Sequence, residues 1–292
     1  MASPFPSWIK RQWASGPDAA LTKSLISELG LHTVCQSAHC PNQGECWKRR
    51  VATFMILGNV CTRNCAFCSV KSGGGLAPDP AEPAHIAEAV KRLGIKHAVV
   101  TSVTRDDLPD GGAGHFAETI QAIRVVNPAT TIEVLTPDFR GDAAAIKTVL
   151  DARPEVFGHN IETVERLYGM LRHRKLTYRQ ALEVLSTAAS MGTEVVVKSA
   201  LMAGHGETPD EVHRTLADLR DVGCEAVAIG QYLRPTPKQR RVVEFVSPEQ
   251  FEEYEALAYR LGFRFAVAGP FVRSSYRSDE LMESHGRAHH KR

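Results

Sequence analysis

No stretch of this 292-residue chain approaches the run of about 18 apolar residues that a membrane-crossing helix needs. The start, MASPFPSWIKRQWASGPDAA, lacks the apolar stretch of a secretory signal. Excess charge is missing too: 35 Lys and Arg stand against 33 Asp and Glu, a net charge of +2. That balance gives no electrostatic case for nucleic acid as a partner, and nothing favours a membrane. Low-complexity segments are absent, and 43% hydrophobic with 23% charged residues is the balance of a chain that buries a sizeable core. These absences point to the cytoplasm, where thiols stay reduced. The length allows one large domain, a barrel included.

Seven cysteines are present, and six of them crowd into residues 35–68. Disulfides explain the crowding poorly, because the count is odd, the chain is long enough to fold without staples, and no export signal is seen. Metal ligation explains it better. The six divide into Cys35-x4-Cys40-x5-Cys46, within HTVCQSAHCPNQGECW, and Cys61-x3-Cys65-x2-Cys68, within NVCTRNCAFCSV. Each triplet offers three soft ligands where closed zinc sites and four-iron clusters ask for four. Either each site borrows a distant ligand, or one iron is left open for another molecule. Two zinc sites, each completed by a histidine from among His32, His39 and His85, are the plainer alternative.

Apolar runs predict strands at 52–59, 97–103, 131–137, 155–162, 193–202 and 225–233, with 263–269 as a last candidate. Several are near-continuous, as in strands buried on both faces. Helical stripes alternate with them: Ile86, Val90 and Leu93; Phe116, Ile120 and Ile123; Leu182, Leu185 and Ala189; Val212, Leu216 and Leu219. Pro83, Pro209 and Pro248 mark helix starts, with Thr208 and Ser247 as caps, and Gly94, Gly192, Gly223 and Gly262 mark ends. Six strand–helix pairs in series predict an α/β fold, a partial (β/α)6 TIM-like barrel of parallel strands. A complete eight-unit barrel and an open doubly wound sheet are the alternatives. Residues 1–50 form an N-terminal extension with the first triplet and Trp8, Trp13 and Trp47. Residues 51–269 form the barrel, and 270–292 a C-terminal segment ending in a solvated tail, HGRAHHKR. Functional groups of parallel barrels gather after the strands' C-terminal ends, where the second triplet falls if 52–59 is the first strand.

The second triplet, with Phe67 just before its last cysteine, resembles the cluster-binding loop of radical S-adenosylmethionine (SAM) enzymes. In that superfamily SAM chelates the open iron through its amine and carboxylate. From about residue 7 to residue 283 the chain resembles the lipoyl synthase family in particular. Four places in order carry the likeness: the two triplets on either side of a short strand, VTRDDLPDGGA at 103–113, GHNIETV at 158–164 and PFVRSSY at 270–276. The resemblance implies two 4Fe–4S clusters and SAM as cofactors. Cys61, Cys65 and Cys68 would hold the cluster that cleaves SAM. Cys35, Cys40 and Cys46, with one serine of Arg273-Ser274-Ser275-Tyr276, would hold an auxiliary cluster consumed as the sulfur donor. We take Ser275 as that ligand and as the catalytic residue; spacing alone leaves Ser274 open. The implied reaction inserts sulfur at C6 and C8 of an octanoyl chain in amide linkage to a lysine of a carrier domain. Implied partners are octanoylated lipoyl carrier domains (2-oxoacid dehydrogenase E2 or glycine cleavage H protein), reduced flavodoxin or ferredoxin, and an iron–sulfur carrier protein. Both clusters must then face one chamber, so the N-terminal and C-terminal extensions are expected to close the barrel mouth.

The same resemblance suggests Phe67 against the adenine, and Thr104, Arg105 and Asp106 at the methionine-binding turn. Asn160 and Glu162 would meet the ribose or the amino-acid end, and Lys198 the methionine carboxylate. LMAGHGET at 201–208 resembles an adenine-contacting strand end, with His205 where an apolar residue is more usual. Cys224 reads as a small buried hydrophobe. Arg172, Arg174, Lys175, Lys238, Arg240 and Arg241 would dock an acidic carrier domain. The competing readings are another radical SAM sulfur-inserting or methylthiolating enzyme, and a non-enzyme electron-transfer or zinc-binding protein.

Overall fold

A computed structural model describes residues 5–9, 16–191 and 194–281. Seven strands, β1 Thr53–Ile56, β2 His97–Ser102, β3 Thr131–Leu135, β4 Val156–Gly158, β5 Val196–Ala203, β6 Ala226–Gln231 and β7 Phe265–Gly269, form one sheet in chain order. Every pairing is parallel. Helices α1 Pro17–Glu28, α2 Val34–Ser37 and α3 Gln43–Lys48 precede the sheet. After each strand but the last comes a crossover: α4 Glu82–Leu93, α5 Ala113–Val126, α6 Ala143–Asp151, the pair α7 Glu165–Leu171 and α8 Tyr178–Met191, α9 Pro209–Asp221, and α10 Pro248–Arg260. The result is six βα units and a seventh strand, a partial barrel as expected. The candidate strand at 263–269 is that seventh strand.

The helix signals act where the sequence puts them. Ile86, Val90 and Leu93 are buried on one face of α4, and Gly94 ends that helix at φ 68°, a left-handed conformation that costs glycine little. Thr208 and Glu211 form a reciprocal capping box on α9, and Ser247 caps α10. Gly192, Trp13 and the tail at 285–292 lie outside the described residues. The strands are mostly shorter than the apolar runs. β4 stops at Gly158 because polar residues follow, and Glu162 sits at φ 67°, out of strand geometry.

The open edge of the sheet is covered by the N-terminal extension. The Met55 N–H donates to the His32 carbonyl at 2.9 Å, and Thr33 bridges Phe54 antiparallel. The C-terminal segment does more than close the mouth: it enters the barrel. Alternate residues of the strands face different partners. Phe157, Val197 and Val227 pack into the main core, whereas Val156, Val196 and Ala226 pack on Leu281, and Ala200 and Ala228 pack on Val272. Small side chains on that inner face make the room. A Cβ added to Gly230 would collide with the Val272 carbonyl. Deeper in the barrel, Lys198 Nζ donates to both carboxylate oxygens of Glu133, at 2.9 and 3.0 Å, and to Ser278 Oγ at 2.8 Å. No helix among the described residues is long and apolar enough to cross a membrane.

Candidate functional site

A chamber of about 340 Å³ opens at the C-terminal ends of the strands. All six cysteines of the two triplets border it, and so do Ser274 and Ser275. The second triplet occupies the loop after β1, and three other units hold that loop by backbone bonds. The Thr62 N–H donates to the Thr104 carbonyl at 3.0 Å, and the Ala66 N–H to the Leu171 carbonyl at 2.8 Å. The Arg240 N–H donates to the Ala66 carbonyl at 3.0 Å, and Gln239 Nε2 to the Cys68 carbonyl at 3.1 Å. Arg63, within the loop and 5% exposed, donates in bidentate fashion to Asp106 and also pairs with Asp138 at 2.8 Å.

The first triplet lies on α2, α3 and the turn between them, and the C-terminal segment completes its surroundings. Thr53 Oγ1 donates to Ser275 Oγ at 2.9 Å, Asn42 Nδ2 to the Phe271 carbonyl at 2.6 Å, and the Tyr276 hydroxyl to Glu45 Oε1 at 3.3 Å. The loops of the two triplets touch: Ser69 donates to the Ser37 carbonyl at 3.0 Å, and His39 Nδ1 lies 3.3 Å from Ser69 Oγ.

Burial pushes the thiols up, Cys35 to about 11 and Cys46 and Cys68 to about 12, and Cys65 in the same direction. Neighbouring thiols add to the effect, Cys40 on Cys35, and Cys35 with Cys40 on Cys46. Grouped thiols in such surroundings become thiolates readily only with positive charge between them, which bound iron provides. Among the described residues no three His, Cys, Asp or Glu side chains converge on a point fit for one metal ion. A four-iron cluster asks for something else, one thiolate per iron around a body several atoms wide. Each of the two thiol triplets bordering the chamber meets that demand at three irons and leaves the fourth to another donor.

Of the residues expected against SAM, Phe67, Thr104, Asn160 and Glu162 border the chamber. Burial raises the Glu162 carboxyl above its usual range against the pull of Arg172, 3.6 Å away, and of Asn160. The other three do not reach it. Lys198 is 3% exposed and committed to Glu133 and Ser278, because a lysine inside the barrel needs a carboxylate partner. Arg105 is turned onto Asp107, 2.8 Å away, and the Leu57 carbonyl. Asp106 is taken up by Arg63, which holds its carboxyl below the usual range. Arg172, expected on the docking surface, lies inside, beneath Glu162 and over the Tyr168 ring. Arg174, Lys175, Lys238 and Arg241 are exposed. Cys224 is fully buried, as expected of a small hydrophobe.

Two residues that sequence reasoning missed stand out. Arg63 is the anchor of the cluster loop, and only its place between two cysteines hinted at a role. His159 borders the chamber, with Nδ1 3.0 Å from the Thr136 carbonyl and Nε2 buried without a partner among the described residues. Burial holds its pKa down to about 4, so the neutral ring donates from Nδ1 and presents Nε2 as an acceptor. His205 stacks 4.2 Å from Tyr232, is held to about 4 by burial, and does not border the chamber. As a neutral ring it fills the apolar position.

Residues 55–219 match the Radical SAM superfamily. A lipoyl synthase of Caldanaerobacter subterraneus subsp. tengcongensis is 50% identical over 274 residues, covering 94% of this chain and 95% of that protein. A lipoyl synthase of Thermus thermophilus is 51% identical over 279 residues, covering 95% and 86%. Among solved structures, the FeFe-hydrogenase maturase HydG from Carboxydothermus hydrogenoformans aligns with a TM-score of 0.59 at 14% identity, covering 91% of this chain and 78% of that one, a likeness of fold alone.

Proposed function

This chain belongs to the lipoyl synthase family of the radical SAM superfamily, an enzyme family that uses a 4Fe–4S cluster with SAM, and on that premise we propose how its residues divide the work. Cys61, Cys65 and Cys68 hold the cluster that reduces SAM. Cys35, Cys40, Cys46 and Ser275 would hold a second, sacrificial 4Fe–4S cluster. The two clusters supply, respectively, the radical chemistry that removes hydrogen at C6 and C8 of an octanoyl-lysine and the two sulfur atoms inserted there. The observation that carries this reading is the single chamber bordered by both triplets and Ser275.

The chain's own part is to position and to exclude. Arg63 and the backbone bonds of residues 62–68 fix the first cluster's ligands against the barrel. Phe67 would pack on the adenine, Thr104 and Asn160 would meet the polar parts of SAM, and Glu162, which Arg172 faces at 3.6 Å, would take its amino-acid end. The lining is mostly apolar, with Val34, Met55, Val103, Leu135 and Leu176 among it, as an eight-carbon arm requires. Thr53 donates to Ser275 and so leaves that oxygen's proton free to depart when it binds a metal. The extensions 1–50 and 270–292 supply the donor side, and 51–269 the radical side. Carrier domains of 2-oxoacid dehydrogenases or the glycine cleavage H protein bring the octanoyl group to the exposed cations Arg174, Lys175, Lys238 and Arg241. Flavodoxin or ferredoxin brings the electron, in the cytoplasm. The test is mass spectrometry of an octanoyl-lysine peptide after anaerobic reaction with reduced protein and SAM. A gain of two sulfurs is expected, and SAM cleavage without sulfur gain would refute the reading.

A further inference from the structure

Three residues at the end of α7, Leu171, Arg172 and His173, are set against one cysteine of the second triplet. The Leu171 carbonyl accepts from the Ala66 N–H at 2.8 Å, the residue next to Cys65. Arg172 and Cys65 both border the chamber. Burial raises the Cys65 thiol, and the strongest pull against that rise is the Arg172 charge, followed by the His173 N–H.

Two guanidinium groups stand by this loop, and they are committed differently. Arg63 is spent on carboxylates: it meets Asp106 at 2.8 and 2.9 Å and Asp138 at 2.8 Å. What it offers the triplet is its backbone N–H, 3.4 Å from Cys61 Sγ. Arg172 faces Glu162 at 3.6 Å, beyond hydrogen-bond reach. The Tyr168 ring lies 5.8 Å from its guanidinium carbon, and Nε is buried with no partner among the described residues. The Arg172 side chain is 12% exposed, so little water is there to screen its charge. A cation so enclosed, with a donor unspent, is costly to keep unless negative charge arrives beside it.

We propose that Arg172 tunes the reduction potential of the cluster on the second triplet, its charge favouring the reduced state while Glu162 holds that bias in check. The inference rests on the reading of Cys61, Cys65 and Cys68 as that cluster's ligands. One electron, lost by reduced flavodoxin or ferredoxin, adds one negative charge to the cluster, and no bond forms or breaks in that step. A guanidinium close by lowers the energy of the added charge and so raises the potential; a carboxylate does the reverse. Arg63 cannot do this work, because its two carboxylates outweigh its charge.

The test is an anaerobic redox titration of protein carrying both clusters, followed by electron paramagnetic resonance in the absence of SAM. The signal of the cluster on the second triplet is assigned first, as the one that changes when SAM is added. Arg172→Gln should lower its midpoint, cutting the ratio of reduced to oxidised cluster at a fixed potential about tenfold, which is about 59 mV for one electron. Arg172→Lys keeps the charge and should recover most of that shift. Glu162→Gln should move the midpoint the other way by a similar factor, and it carries the test alone where Arg172→Gln fails to hold its clusters. Opposite shifts from the two halves of one pair are a result that a merely structural role does not produce. The signal that ignores SAM serves as internal reference and should stay within about twofold. An unshifted midpoint, a shift of the same sign from both halves, or a shift in Arg172→Lys as large as in Arg172→Gln overturns the tuning role alone. A protein with no signal that responds to SAM overturns the assignment of Cys61, Cys65 and Cys68 and the tuning role together.

Discussion

The two cysteine triplets are built on different principles. Cys61, Cys65 and Cys68 sit within one loop, whose backbone is bonded to the loop after β2, the end of α7 and the loop after β6 and whose Arg63 is buried between two carboxylates. Cys35 and Cys46 sit on short helices outside the barrel and Cys40 in the turn between them, and their surroundings are finished by the far end of the chain through Asn42, Thr53, Glu45 and the half-exposed Arg49–Asp279 pair. Exposed pairs of that kind contribute about 1 kcal/mol or less. One site is held by the fold itself, the other by a seam between two chain ends. A site that makes radicals gains from rigidity, because a small misplacement costs rate steeply. A site that surrenders its atoms and is refilled gains from a seam that opens.

Single cysteine removals break the comparison most sharply. Cys61→Ala should abolish both SAM cleavage and sulfur insertion, by more than about a thousandfold. Cys35→Ala should abolish sulfur insertion alone, with SAM cleavage within about twofold. Both are read by counting 5′-deoxyadenosine and lipoyl product in the same reaction. If Cys35→Ala stops SAM cleavage as well, the triplets are not independent.

How far these two sites could be read from sequence follows from the same difference. The second triplet, the helix caps at Thr208 and Ser247 and the alternation of strands and helices were legible because each signal is local. The partners of charged residues were not. Lys198 at a strand is compatible with a ligand contact or with an ion pair, and only folding brings Glu133 and Ser278 to it. Asp106 reads the same way until Arg63 arrives. Nor does any sequence signal tell that the C-terminal segment enters the barrel. That follows from Ala200, Ala228 and Gly230 sharing one face, and their parity matters only once the strands are paired.

The buried pair in the barrel floor sharpens the comparison, since it anchors the C-terminal half of the seam. Lys198→Met leaves the buried Glu133 carboxylate with His97, 3.4 Å away, as its remaining partner and should cost about 3 kcal/mol of stability, the lower end for a broken buried pair. Pairing it with Glu133→Leu should return a large part. Urea unfolding measures both. Iron content adds the discriminating readout: Lys198→Met should lose iron from the first triplet before the second. Equal loss would mean that the floor supports both sites alike.

Ser275→Ala tests the seam at its centre. Three thiolates should still assemble a cluster and SAM cleavage should persist, while lipoyl product falls about a hundredfold, the upper range for loss of a supporting ligand contact. Ser274→Ala should change product little, because it is Ser275 that Thr53 holds at the chamber, by a hydrogen bond of 2.9 Å. The reverse outcome would move the ligand by one residue.

The smallest effect concerns the barrel side. The His159 ring has a pKa of about 4 when folded against an ordinary 6.5, because burial disfavours its charged form. A depressed folded value means that the unfolded chain binds more protons between those two pH values, so the contribution is complete above pH 6.5 and is lost as pH falls towards 4. From pH 7 to pH 5 the loss from this group is on the order of 2 kcal/mol. His159→Gln keeps a donor for the Thr136 carbonyl and does not titrate, so its stability should fall less over that interval when unfolding is followed at both pH values. If the variant loses as much as the parent, the acid sensitivity lies elsewhere. Because His159 borders the chamber from the end of β4 while the first triplet stands outside the sheet, acid should weaken the rigid side of the molecule first, the opposite of what Cys35→Ala or loss of the floor pair would do.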